Sequence, residues 1–112
     1  MTDPVLDHAL AHKTQLIDAL KSLVAKPSVG VDPAMAKGME DARQFIEERL
    51  GVMGFQNIQR LTPQNGSGQP ALYGQRLDAP GKPTILVYAH YDVQPSDPLS
   101  KWDSPPFEAV ER

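Results

Sequence analysis

The chain has 112 residues, 40% hydrophobic and 22% charged, with a net charge of −3. That length allows one domain or part of one, and the composition is that of an ordinary globular chain. The acidic balance, with no basic stripe, argues against a nucleic-acid partner. No apolar run approaches the roughly 20 residues that span a bilayer, so no membrane partner is expected either. The start, MTDPVLDHAL, is acidic and does not read as a secretory signal. Cysteine is absent, which removes disulfides and thiolate ligands and fits a reducing, cytoplasmic setting.

Asp3-Pro4 is a helix start: a capping carboxylate, then proline in the first turn. Leu6, Leu10, Ile17, Leu20 and Val24 recur at helical spacing, and Lys26-Pro27 ends the run. Asp32-Pro33 repeats the capping pattern. Met35, Met39, Ala42, Ile46 and Leu50 form a second apolar stripe, with Glu40, Glu47 and Glu48 pointing away from it. Gly51 and Gly54 bracket its end.

The periodicity then changes. Residues 55–61 and 71–77 read as strands, separated by the turn Asn65-Gly66-Ser67-Gly68. Residues 84–89 read as a third strand. Its unbroken apolar run predicts cover on both faces and a central place in the sheet. Proline is about twice as common as average, and Pro95, Pro98, Pro105 and Pro106 make the last fifth a loop or extended segment. The expected fold class is α/β: two N-terminal helices followed by strands of a mixed sheet.

The chemistry concentrates at the end of the third apolar run, where ILVYA leads into His90-Tyr91-Asp92. Open α/β sheets bind ligands at the carboxyl ends of their strands. Neutral imidazole is a common zinc ligand, and a metal-bound histidine usually passes its other N–H to a carboxylate. On this pattern His90 is the candidate metal ligand and Asp92 the candidate catalytic partner that orients it. The plainer reading is a histidine capping a strand and an aspartate opening a turn. His8 and His12 have i, i+4 spacing on a helix, but both lie off its apolar face and read as solvent-exposed. Ser67 and Ser96 have no base near them in sequence and read as turn residues.

The stretch KPTILVYAHYDVQP followed by KWDSPPFEAV resembles the zinc-dependent aminoacylase and dipeptidase family. This family includes carnosinase-like dipeptidases, acetylornithine deacetylase, succinyl-diaminopimelate desuccinylase and glutamate carboxypeptidases. The resemblance is carried by His90, Asp92, Val93, Pro95, Trp102, Pro106 and Phe107. KPSV at residues 26–29 and ERLGVMGF at 48–55 resemble the family's opening segment. Tyr91 and Gln94 lean toward the dipeptidase branch.

The resemblance implies that residues 1–112 are the N-terminal part of a catalytic, zinc-binding domain. His90 would bind one metal of a two-zinc site, where cobalt or manganese could substitute, and Asp92 would orient His90. Trp102 and Phe107 would shape the loop below the site, or simply anchor it. The substrate would be a dipeptide or an N-acyl amino acid. The remaining ligands, the general base and a lid or dimerisation domain would follow Arg112. The isolated chain would then be inactive and, with an apolar strand uncovered, prone to self-association. The competing expectation is a non-catalytic α/β binding or assembly module.

Overall fold

A computed structural model describes residues 2–112. They divide into two units, one of residues 2–27 with 96–112 and one of residues 28–95.

In the first unit, α1 (Pro4–Ala11) and α2 (Lys13–Val24) replace the single helix expected from the periodicity. Asp3 caps α1 as the sequence requires, its Oδ1 accepting from the Val5 and Leu6 N–H groups. The break falls at His12, whose backbone leaves the helical region at φ −110°, ψ 16°. Its Nδ1–H and its own backbone N–H both donate to the His8 carbonyl, and the i→i−4 bonds His12 N–H to His8 and Leu16 N–H to His12 persist across the break. The apolar stripe is only partly used. Ile17 and Val24 are half-buried, whereas Leu6, Leu10 and Leu20 are open. His8 and His12 are exposed, as expected, and stack on each other with ring centres 4.1 Å apart. The C-terminal segment is held internally by a Trp102 Nε1–H bond to the Ser96 carbonyl (2.8 Å) and tied to α2 by a Lys21–Glu111 ion pair (2.9 Å). Phe107 is half-buried, while Trp102 stays largely open.

In the second unit, Asp32 caps a 3-10 turn (Pro33–Met35) that leads into α3 (Ala36–Val52). The expected stripe is realised: Met39 and Ala42 are buried, and Met35, Ile46 and Leu50 are half-buried. Gly54, at φ 82°, ends the helix in the left-handed conformation that glycine adopts without steric cost. Strands β1 (Gln56–Leu61) and β2 (Ala71–Gln75) pair antiparallel, with Arg60 opposite Leu72 and Leu61 opposite Ala71. The register is irregular between Gln56 and Gln59, where Asn57 takes a positive φ of 51°. Asparagine is among the few residues that tolerate this. Ser67 serves the turn between the strands, its N–H bonding Asn65 Oδ1 (3.0 Å).

The architecture is α/β, as expected, but the third strand is corrected. Residues 84–89 have no ladder partner among the described residues, and the buried run expected there lies open, with Ile85 83% and Tyr88 90% exposed. The physical reason is that a strand exists only through its neighbours. The parallel pairing that does form nearby is a single bridge between Val29 and Val93.

The core of this unit is small: Val29, Met39 and Ala42, with Ser28 and Arg43 buried beside them. Glu40 and Glu47, expected to face away from the helix stripe, take up a cation from β1. Arg60 from β1 pairs with Glu47 through two bonds (2.6 and 2.8 Å) and with Glu40 (2.8 Å). Hydrogen bonds from Arg60, joined at Glu40 by those from Arg43, hold both carboxyls below their ordinary value of 4.5.

Two predictions follow from this packing. Met39→Ala should cost about 2–5 kcal/mol in urea denaturation, the usual range for emptying a buried methionine site. Because Glu40 and Glu47 have depressed folded values, their contribution is complete above about pH 4.5 and is lost as pH falls through those values. Arg60→Gln should therefore flatten the fall in stability between pH 5 and pH 3, measured by circular dichroism; an unchanged acid limb would contradict the pairing.

Candidate metal-facing site

His90, Tyr91, Asp92 and Val93 are held from two sides within the second unit. On one side the Val93 N–H donates to the Ser28 carbonyl (2.8 Å), and Val93 bridges Val29. Ser28 and Val29 are buried, so this anchor is shielded from water. Gly30 lets Asp92 lie close to the same segment. A Cβ added there would stand 3.2 Å from Asp92 Cβ and 3.4 Å from Asp92 Oδ2.

On the other side stands Arg43, on α3 and only 6% exposed. Its Nη1 donates to Tyr91 Oη (2.8 Å) and Gln69 Oε1 (2.8 Å), and its Nη2 donates to Glu40 Oε2 (3.0 Å). The guanidinium also lies over the Tyr91 ring, 5.7 Å from its centre. The Tyr91 hydroxyl in turn donates a hydrogen bond to the Pro70 carbonyl. Burial pulls the Arg43 pKa down, but the bonds to Tyr91 and Glu40 outweigh it and leave the pKa above the ordinary value.

Between these anchors the residues alternate. Tyr91 is half-buried toward Arg43, while His90 and Asp92 are exposed. The His90 Nδ1 lies 2.9 Å from the Asp92 carbonyl oxygen and 3.1 Å from Asp92 Oδ1. Both partners are acceptors, so Nδ1 carries the hydrogen. In the neutral ring Nε2 is then an unprotonated lone pair, and no described residue takes it. The ring is 77% exposed, so that lone pair is open to an incoming group.

This arrangement fits a metal in part. A histidine with one nitrogen fixed on a carboxylate and the other free is the donor unit of carboxylate–histidine–metal triads. It is one donor only: among the described residues no three His, Cys, Asp or Glu side chains gather as a cage, and His8 with His12 does not form one. The sequence pattern drew attention to His90 and Asp92, and the fold brings these two together. Val93 and Pro95 of the motif lie in the same unit, whereas Trp102, Pro106 and Phe107 belong to the other.

Arg43 and Gly30 were not singled out in the sequence. Arg43 had a legible signal: it stands four residues after Met39 on the apolar stripe, where a cation needs partners. Gly30 had none, since its role depends on how near Asp92 comes.

Known proteins place the chain. No protein-family model matches it. The Cys-Gly metallodipeptidase DUG1 of Saccharomyces cerevisiae is 31% identical over 94% of this chain and 25% of its own length. The succinyl-diaminopimelate desuccinylase of Bordetella pertussis is 34% identical over 87% of the chain and 22% of its own. A solved structure of the yeast di-peptidase Dug1p superposes with a TM-score of 0.80 at 31% identity, covering 89% of this chain and 22% of that one. The chain thus spans about a quarter of the length of the curated relatives it matches. Sequence and backbone agree in relating the chain to part of a metallodipeptidase, and its sequence likewise relates it to part of the desuccinylases.

Proposed function

We propose that these residues form the N-terminal part of the catalytic domain of a dizinc hydrolase that cleaves the amide bond of a dipeptide or an N-acyl amino acid. The observation that carries this reading is the His90–Asp92 pair, which fixes the imidazole hydrogen on Nδ1 and leaves Nε2 as a donor. The relatives' names support the substrate class, one being a dipeptidase and another a desuccinylase. Zinc, the metal of this proposal, would supply Lewis-acid polarisation of the scissile carbonyl when bound with His90 among its ligands.

The chain's own residues do the holding. His90 would supply one ligand. Asp92 keeps the ring in the right tautomer, and its carboxylate raises the basicity of the ligating nitrogen. The donor chemistry suits zinc, and imidazole sites also accept cobalt or manganese. A cytoplasmic location, in keeping with the lack of cysteine, is part of the same proposal.

One imidazole is far short of the four or so ligands of a closed zinc site, so most of the roughly 10–16 kcal/mol of such a site is missing. The 112 residues alone should therefore neither retain metal tightly nor hydrolyse an amide. The open apolar side chains of residues 84–89 should also drive the isolated chain to self-associate.

Three measurements check this. Elemental analysis and isothermal titration of the 112-residue chain should find no stoichiometric zinc; sub-micromolar binding at His90 would refute the single-donor account. Light scattering at high micromolar concentration should show species larger than a monomer, and a strictly monomeric mass would count against the open segment as a contact surface. In a protein of the relatives' full length carrying these residues, His90→Ala should lower both bound metal and dipeptide turnover, the latter by about 100-fold or more, in line with loss of a key metal-site group. Unchanged turnover would sink the proposal.

A further inference from the structure

We infer that Arg43 is a positioning residue, acting through Tyr91 to hold the His90 ring in the tautomer that presents Nε2. The inference rests on the functional reading above and adds to it the residues that brace His90 and Asp92 from behind.

Three observations carry it. Arg43 is a buried cation whose hydrogen bonds go to Glu40, Gln69 and Tyr91 and not to His90 or Asp92, so its polar groups serve the frame. It joins three separate stretches at one point: Glu40 on α3, Gln69 before β2, and Tyr91 between His90 and Asp92. Tyr91 is itself bonded onward to the Pro70 carbonyl, so its hydroxyl is committed as donor and acceptor at once.

The consequence is geometric. The residue between His90 and Asp92 is clamped to α3, and the residue after Asp92 is clamped to Ser28. With Tyr91 and Val93 both fixed, the Asp92 carbonyl and carboxylate have little freedom to swing away from Nδ1. Both must stay within hydrogen-bond distance to favour the Nδ1–H form over the Nε2–H form that a free imidazole prefers. Nothing attached to the exposed His90 ring itself could impose this, because among the described residues its ring bonds only to Asp92.

Arginine suits the task where lysine does not. A planar fork of five donors can serve Glu40, Gln69 and Tyr91 together and still lie over the tyrosine ring, whereas an ammonium is a single point charge on a flexible stem. Tyrosine suits it where phenylalanine does not, because only the hydroxyl links Arg43 to Pro70.

The test uses the 112-residue chain with nitrogen-15 in its histidine rings, without metal, at a pH where the imidazoles are neutral. Ring nitrogen shifts report the tautomer of His90 directly. The wild type should be mainly Nδ1–H. Tyr91→Phe, which keeps the ring and the fold, should shift the ratio several-fold toward Nε2–H, and Arg43→Lys should do the same or more. Asp92→Asn sets the scale for losing the carboxylate.

If Arg43→Lys fails to fold, Tyr91→Phe decides. A folded Tyr91→Phe with the wild-type ratio overturns the inference, even where its melting temperature falls, since a merely structural role predicts that pattern. A wild type that is mainly Nε2–H overturns it as well. The functional reading fails separately, through His90→Ala with undiminished metal and turnover in the longer protein, and that result would leave the tautomer ratios as they stand.

Discussion

The second unit depends on one buried cation. The Arg43 guanidinium is removed from water, and an ion so placed is tolerable only when its charge and its N–H groups are matched. The match comes from Glu40, Gln69 and Tyr91, three side chains from three stretches of sequence. Removing any one of them leaves a donor facing apolar atoms, which costs about 1–3 kcal/mol, more where charge is involved. The network thus does for this small core what additional apolar side chains do in larger ones. It joins α3, the approach to β2 and the stretch around residue 91 into a single frame. Glu40 is shared with Arg60, so the frame extends to β1 through a second, more exposed set of charges.

Much of this was legible in the sequence, and what was not has physical reasons. Proline after aspartate twice announced a helix start, and both caps are present. The Met39–Ala42 stripe announced the buried face of α3. The break at His12 was hidden because periodicity continues through it, and only the non-helical backbone of that one residue separates the two helices. The apolar run at residues 84–89 announced a buried strand because composition reports what a segment prefers, not what stands beside it. Its pairing depends on neighbours that the described residues do not provide. At the site, His90 and Asp92 were readable as a motif. Arg43 and Gly30 matter through distances across the fold, which a linear reading does not contain.

The relation to metallodipeptidases and desuccinylases gives these details a common sense. The chain matches about a quarter of each relative, and within that quarter the histidine and the aspartate of the motif are exposed and bonded to each other. The fold puts its anchors behind His90 and Asp92 and leaves the ring itself open on the outer side. A donor atom held this way is ready for a ligand and is not consumed in packing. The same economy explains why the stretch after Ser28 has a glycine at position 30, where Asp92 comes within close contact of the backbone.

The central claim is that the imidazole at position 90 faces a metal through Nε2 with the carboxylate at position 92 behind it. Anomalous diffraction at the zinc edge, from crystals of a full-length family protein carrying these residues, tests it most directly. The account predicts a peak about 2.0–2.1 Å from His90 Nε2, with Nδ1 still on Asp92. A fully loaded centre with the His90 ring turned away from every metal would contradict it.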